Sequence, residues 1–591
     1  MFKILLELLS PSERIQGFFL VLWVLIVALM DVAGIASIMP FIAVLTNPEL
    51  IQTNEYLAML YDFSGYSDAQ EFLFLLGVIV FSLLVISLSL KALTTYIQTR
   101  FTLKLEYSLG RRLLFGYLHQ PYEWFLNRNS SELGKSILSE VYSVIKGGFA
   151  PLMTVITQSI VAATILVLLL LVNTFLALMV FITLSFAYLF IYKVLKRLLL
   201  NIGQSRFDAN QKRYNIISEI FGGIKDIKLG ELEELYLDRF SRPSFEYAKS
   251  NTASQVINLM PRFALEAIAF GGMLLMILYM MGRGSGLGGV LPVIALYALA
   301  GYRLMPALQQ IYEGFSKLRF SVPAIEALHK DLIDLKVAPP VNNLSSFKLA
   351  KSIELKDITF SYPETEKYAI SGVSLTIPAL STIGIVGSTG SGKTTIVDII
   401  LGLLSVDQGI LKIDDQIINN DNFRKWQKII GYVPQQIYLS DSTVAANIAF
   451  GSDAKNINQD AVKHAAKIAN LHDFIINQLP DGYQTTVGER GVRLSGGQRQ
   501  RIGIARALYR SPKVLFFDEA TSALDNLTEH AVMDAVRSLE HKITIIMIAH
   551  RLSTVKHCDK IFFLEKGKIK AQGTYDELMQ QNEIFRSMVE K

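Results

Sequence analysis

The residues best suited to chemistry lie in the second half of the 591-residue chain. A short apolar run, Thr382–Val386, leads into Gly387-Ser388-Thr389-Gly390-Ser391-Gly392-Lys393-Thr394, and a helical pattern follows. Glycines at this spacing let backbone N–H groups turn inward as an anion nest, and the helix N-terminus adds its dipole. The pattern fits a phosphate-binding P-loop. Lys393 is placed to reach β- and γ-phosphates, and the Thr394 hydroxyl to take a place on Mg²⁺. Further on, Val514-Leu515-Phe516-Phe517 ends in Asp518 and Glu519. There Asp518 would hold Mg²⁺ through water, and Glu519 would act as general base on an attacking water. Two acids at a strand end are commonly solvated decoration, and it is the P-loop upstream that promotes them. The next apolar run ends in His550, placed to contact a γ-phosphate. Alone, that histidine would read as structural.

A second anion site is encoded between these runs. Leu494-Ser495-Gly496-Gly497-Gln498 opens the helical pattern Arg499–Tyr509, so glycines, a hydroxyl and a helix N-terminus converge again. A domain that already has its P-loop has no evident use for it. The whole set resembles the ABC ATPases, whose signature sequence this segment matches. Tyr362, in Phe360-Ser361-Tyr362-Pro363, resembles the aromatic that stacks on adenine. Gln435, in Val433-Pro434-Gln435, resembles the Q-loop glutamine, which acts in hydrolysis and on Mg²⁺. Ser522-Ala523-Leu524-Asp525 resembles the D-loop, and Thr486–Gly491 the X-loop of exporters. The resemblance implies ATP and Mg²⁺ as cofactors. It also accounts for the redundant site, because the signature of one subunit closes over ATP held by the P-loop of another. One set with Glu519 and the signature intact implies a homodimer with two competent sites; a heterodimer stays open.

The elements that must position these groups follow from composition. Hydrophobic residues make up 51% of the chain, charged residues only 18%, and mean hydropathy is +0.35. A soluble chain needs more surface charge than that. A single cysteine, Cys558, excludes a disulfide scaffold, and a net charge of +5 gives no support to nucleic-acid binding. The apolar excess sits near Gly17–Leu45, Phe72–Ile97, Phe149–Val172, Thr174–Leu198, Val256–Met281 and Leu287–Ile311. Each stretch can cross a bilayer, which takes roughly 20 residues. The first is too long for a signal h-region and reads as a retained span. Thr46–Glu71 has no Lys or Arg and five acids, so it is expected outside; Arg100–Lys146 and Lys193–Lys249 are basic and expected inside. Both termini then lie in the cytoplasm. Helical patterning continues through Leu103–Leu118 and Tyr214–Phe240, interrupted by polar clusters at Asn127–Ser131 and Gly222–Gly223, which predicts helices reaching well beyond the bilayer before reversing.

The expected fold is an all-α six-helix transmembrane domain followed by an α/β P-loop ATPase domain with a helical subdomain. The transmembrane domain is assigned to 1–330, a Pro- and Asn-containing linker to 331–352, and the nucleotide-binding domain to 353–591. This order resembles type IV, ABCB-like ABC exporter half-transporters, which places coupling helices near Tyr122–Leu133 and Asn210–Ile224. Ionisable residues within the spans are costly and read as functional or paired: Asp31, Lys91, Arg262, Glu266 and Arg303. Arg262 has Glu266 four residues on, and Arg303 has no local partner. Three cations facing a cavity would suit a phosphate or pyrophosphate.

A closer resemblance points the same way. Met39-Pro40-Phe41-Ile42, Lys91-Ala92-Leu93, Glu140-Val141-Tyr142, Pro261-Arg262 and Tyr302-Arg303-Leu304-Met305-Pro306 resemble the PglK-type flippases of lipid-linked oligosaccharides in bacterial protein N-glycosylation. Lys91 stands where that family has an arginine, and Asn54–Phe63 resembles its small external helix. The resemblance implies a homodimer in the cell inner (cytoplasmic) membrane that flips a polyprenyl-pyrophosphate-linked saccharide, with Lys91, Arg262 and Arg303 on the pyrophosphate. Export of drugs, peptides or another lipid is the alternative within transport. An ATP-gated channel or regulator is the alternative outside it, and would show a degenerate ATP site or a regulatory insertion.

Overall fold

The computed structural model describes the chain apart from residues 67, 173, 283–286, 336–346, 364, 366, 420, 520–525, 550 and 590–591. The chain divides into two compact units, Met1–Gln120 with Asn127–Ala338, and Pro121–Leu126 with Pro339–Lys591. The elements of the first unit are helical among the described residues.

Helices cover each of the predicted spans: Pro11–Ala36 with Ile38–Thr46, Ala69–Leu118, Ala150–Val172, Thr174–Gly222, Glu233–Gly282 and Leu287–Phe320. Among the described residues, Pro11–Thr46, Ala69–Leu118 and Ser130–Val172 meet length and hydropathy requirements for crossing a membrane in full. Ala69–Leu118 has 50 residues, Thr174–Gly222 has 49 and Glu233–Gly282 has 50. At 1.5 Å per residue each is roughly 75 Å long, more than twice the hydrocarbon thickness. Ser10 starts the first long helix with a reciprocal capping box to Glu13. Polar side chains tie neighbours together where water cannot: Trp23 Nε1 donates to Thr94 Oγ1 at 3.0 Å, Gln98 Nε2 to Thr157 Oγ1 at 2.6 Å, and Gln158 Nε2 to Gln310 Oε1 at 2.9 Å.

Two sequence expectations change. Residues 210–222 continue the long helix, and the separate short helix is Ile224–Leu229, after a break at Gly223. The presumed linker from residue 331 begins inside the helix Val322–Asp334, whose Val322, Ala324, Ile325 and Leu328 are buried and hold it in place.

The helical run from Ser130 to Val172 contains two wide π-turns, Ser136–Glu140 and Ile145–Phe149. At the first, a buried ionic hub forms. Glu140 lies 3.6 Å from Lys135 Nζ and 3.6 Å from Arg206 Nη2, and accepts from Asn210 Nδ2 at 3.4 Å. Lys135 Nζ also sits 3.9 Å from the centre of the Phe207 ring. Nearby, a Cβ at Gly203 would meet the Phe320 carbonyl at 2.1 Å, so only glycine permits the helices to approach this closely.

In the second unit, an antiparallel sheet has the order Tyr368–Pro378, Ser352–Ser361, Gln408–Ile413, Gln416–Ile417. A six-stranded sheet has the order Lys568–Gly573, Lys560–Glu565, Thr382–Gly387, Thr544–Ile548, Val514–Asp518, Ile430–Val433. Its pairs are parallel except for the terminal Lys560–Glu565 with Lys568–Gly573. The central strands Thr382–Gly387, Val514–Asp518 and Thr544–Ile548 are buried throughout, as unbroken Ile, Val and Phe runs require. Between Ile430–Val433 and Val514–Asp518 the chain inserts Val444–Ile448, Gln459–Ile468, His472–Gln478 and Gly496–Tyr509, a helical subdomain around Val444, Ile448, Val462, Ile475 and Ile504.

Glu140→Ala would leave Lys135 and Arg206 buried with no carboxylate between them, a loss of about 3–5 kcal/mol. A lowered thermal midpoint in detergent should report it. The triple change Lys135→Met, Glu140→Leu, Arg206→Met should recover most of that loss, and an unchanged midpoint for Glu140→Ala would show that the hub carries no stability.

Candidate functional site

Parallel strands end on one edge of the six-stranded sheet, and that edge is where the candidate residues collect. Thr382–Gly387 delivers the P-loop, and Lys393–Ile400 leaves it as a helix. The loop needs its glycines. Gly390 has φ 75° and Gly392 φ 100°, and a Cβ at Gly392 would press to 2.6 Å from Ile370 Cδ1. Lys393 is buried and its Nζ donates to Gly387 O at 2.8 Å and Ser388 O at 3.0 Å. Burial pulls its pKa down, opposed by the nearby charges of Glu519 and Asp518. The ammonium is therefore held at the loop by carbonyls and faces both acids. Tyr362 is brought to the same place, its hydroxyl 3.0 Å from Thr395 Oγ1 in the first turn of that helix.

Val514–Asp518 ends with Asp518 buried, accepting a hydrogen bond from Tyr432 OH at 3.1 Å. Burial first, then Asp518, pushes the Tyr432 phenol above its usual range, so it stays a donor. Glu519 takes a left-handed backbone conformation, φ 50°, and its N–H donates to Ile548 O at 3.1 Å. Non-glycine residues rarely adopt it, and such strain gathers at functional sites. Gln435 Nε2 donates to Glu519 Oε2 at 2.7 Å, so the structure joins two of the sequence-selected residues directly.

At the second anion site, Ser495 caps the helix Gly496–Tyr509 in a reciprocal box. Its Oγ accepts from Gln498 N at 3.2 Å, and Ser495 N donates to Gln498 Oε1 at 2.8 Å. His550 and the segment Ser522–Asp525 lie outside the described residues.

Three side chains emerge that sequence reasoning passed over. Tyr432 donates to Asp518, as above. Asp398 is pushed up to about 6, by burial first and then by Asp518. Arg506 joins the signature helix to the chain after Gln435: Nη1 donates to Tyr438 O at 2.8 Å and Nε to Asn447 O at 2.8 Å, over the Phe450 ring. The short helix Tyr122–Leu126 groups with this unit, where Glu123 Oε1 accepts from Ser405 N.

In the first unit, the sequence-selected cations divide. Lys91 Nζ lies 2.7 Å from Asp31 Oδ2 and Arg303 Nη1 3.2 Å from Asp31 Oδ1, so Arg303 does have a partner, remote in sequence. Arg262 Nε pairs with Glu266 Oε1 at 2.7 Å on its own helix, as their spacing allows.

Residues 370–522 match the family profile of the ABC transporter ATP-binding domain, and residues 19–286 that of the ABC transporter transmembrane region. An ATP-dependent lipid A-core flippase from Saccharophagus degradans is 30% identical over 81% of this chain and 80% of its own length. This chain belongs to the ABC transporter family. The ABC transporter ATP-binding protein YfiB of Bacillus subtilis is 29% identical over 87% of this chain and 88% of its own. A bacterial Atm1-family ABC exporter solved with ATP bound superposes with a TM-score of 0.79 over 98% of both chains at 23% identity, a likeness of fold. As an ABC exporter the chain is a multi-pass membrane protein that binds ATP and couples its hydrolysis to transport.

Tyr432 donates to Asp518, and if Asp518 holds Mg²⁺ through water, an outer hydrogen bond of this kind is worth about 10-fold or more in metal affinity. Tyr432→Phe should therefore raise the Mg²⁺ concentration for half-maximal ATPase activity by about that factor. An unchanged Mg²⁺ titration would remove Tyr432 from the site.

Proposed function

We propose that this ABC exporter acts as a homodimer that flips a polyprenyl-pyrophosphate-linked saccharide, or a closely related glycolipid, across the cytoplasmic (inner) membrane, with both termini cytoplasmic. The observation that carries the substrate class is the pair of cations, Lys91 and Arg303, on one carboxylate between helices of the membrane half. Charges at such positions are costly unless they serve a site. A guanidinium fork and an ammonium together suit the oxygens of a pyrophosphate. Arg262 is the third cation of the set, contributing a guanidinium shared with Glu266. Relatives named lipid A-core flippases, such as the one at 30% identity, support a glycolipid as cargo.

In the same reading, Gly387–Thr394 cradles the phosphates of ATP, with Lys393 on the β- and γ-phosphates and Tyr362 against adenine. The donor set fits Mg²⁺: the Thr394 hydroxyl, the Gln435 amide and the buried Asp518 carboxylate, the last through water. When bound, the ion would neutralise charge on the phosphates. Glu519 takes the proton of the attacking water, and the Gln435 amide on its Oε2 holds the carboxylate in line. The place of His550 after the Thr544–Ile548 run in the sequence assigns it to the γ-phosphate. Ser495, Gly496, Gly497 and Gln498 of a second copy close over the nucleotide.

General-base catalysis contributes about 10²–10⁴-fold, so Glu519→Gln should lower phosphate release by at least about 100-fold while ATP still binds. Lys393→Ala should instead weaken binding of a fluorescent ATP analogue. Hydrolysis at the wild-type rate by Glu519→Gln would refute the assignment of the base.

Substrate class is read most directly from ATPase stimulation in nanodiscs. Undecaprenyl-pyrophosphate-linked N-acetylglucosamine should raise the rate, and undecaprenol or a cationic drug should not. Stimulation by the drug alone would return the chain to multidrug export.

A further inference from the structure

Asp31 takes part in every contact of the cluster described above, yet it is the one member whose charge opposes an anionic cargo. Its side chain is 1% exposed, whereas those of Lys91 and Arg303 are 33% and 16% exposed. Ser87 Oγ donates to Oδ1 at 2.7 Å, Lys91 Nζ to Oδ2 at 2.7 Å, and Arg303 Nη1 approaches Oδ1 at 3.2 Å. Three helices, Pro11–Ala36, Ala69–Leu118 and Leu287–Phe320, thus meet on one carboxylate. Ser87 and Lys91 stand four residues apart and present donors from one helix face. The arithmetic of charge is lopsided, with two cations on one acid, so the cluster carries a net positive charge that a further anion can neutralise. The arginine contact runs through Nη1, and a guanidinium can turn a fork of donors toward phosphate oxygens.

We propose that Asp31 is a resident counter-ion that competes with the cargo's pyrophosphate for Lys91 and Arg303. It keeps two cations paired inside the membrane half, where an unmatched charge is costly, and yields them when the phosphate oxygens arrive. The inference rests on the pyrophosphate reading and adds a sign to it. A residue that only held the cations in place would weaken cargo binding when changed. A competitor strengthens it.

The test measures the half-saturating concentration of undecaprenyl-pyrophosphate-linked N-acetylglucosamine for ATPase stimulation of the full-length transporter in nanodiscs. Asp31→Asn keeps the shape and removes the charge, and should lower that concentration on the order of 10-fold, since an opposing charge a few ångströms away is gone. Weaker or unchanged half-saturation in a monodisperse variant would overturn the proposal. If Asp31→Asn does not fold, Lys91→Met should raise half-saturation by a similar factor, and the double variant Asp31→Asn, Lys91→Met should return it toward wild type. Failure of the double variant to recover would overturn the proposal equally. A wild type unresponsive to the pyrophosphate lipid would refute the substrate reading, and the counter-ion role with it.

Discussion

Groups that carry charge or hydrogen-bonding capacity must find partners inside the chain once water is removed, and both units are arranged around that requirement. In the membrane half it dictates helices, because only a helix satisfies its own backbone within a bilayer. The same demand gathers Ser87, Lys91 and Arg303 onto Asp31, and Lys135, Arg206 and Asn210 onto Glu140. In the ATPase it places carbonyls under Lys393, a phenol on Asp518 and an amide on Glu519. The strand ends that gather the candidate ATP-site residues and the charged cluster between the membrane helices are two answers to one cost.

How much of this was legible in sequence depended on how local each partner is. The P-loop was readable because its demands are backbone demands: left-handed conformations at Gly390 and Gly392 followed at once by a helix. Spans were readable because bilayer thickness sets a length that few soluble segments imitate. The Arg262–Glu266 pair was anticipated from helical spacing alone. Arg303 was not, since Asp31 joins it only when the first and last long helices pack together. Tyr432 and Asp398 escaped for the same reason: one bonds Asp518 from the neighbouring strand, the other feels its charge from the helix after the P-loop, and neither carries a motif.

Boundaries were the least legible feature. The interruption at Gly222–Gly223 was readable from its two glycines, whereas the extension of Val322–Asp334 past residue 330 turns on burial of Val322, Ala324, Ile325 and Leu328, which local composition does not report. The π-turns at Ser136–Glu140 and Ile145–Phe149 left no trace in the apolar periodicity. They shift which side chains face inward, and Glu140 reaches its cations at the end of the first.

The cap at Ser495 carries a consequence beyond the helix it begins. Serine, threonine, aspartate and asparagine terminate helices about equally well. An aspartate there would satisfy the Gln498 N–H and, in the proposed closure over nucleotide, would confront the phosphates with a like charge. The Ser495 oxygen accepts from Gln498 and keeps a proton of its own to give. Of the four, aspartate alone has no proton to give and adds a charge; threonine keeps the hydroxyl, and asparagine carries its acceptor and its donor on separate atoms of a larger amide. Optimising the helix for robustness alone would treat aspartate as a synonym of serine, and in the proposed closure over nucleotide it would set a like charge against phosphate while the cap stayed as good.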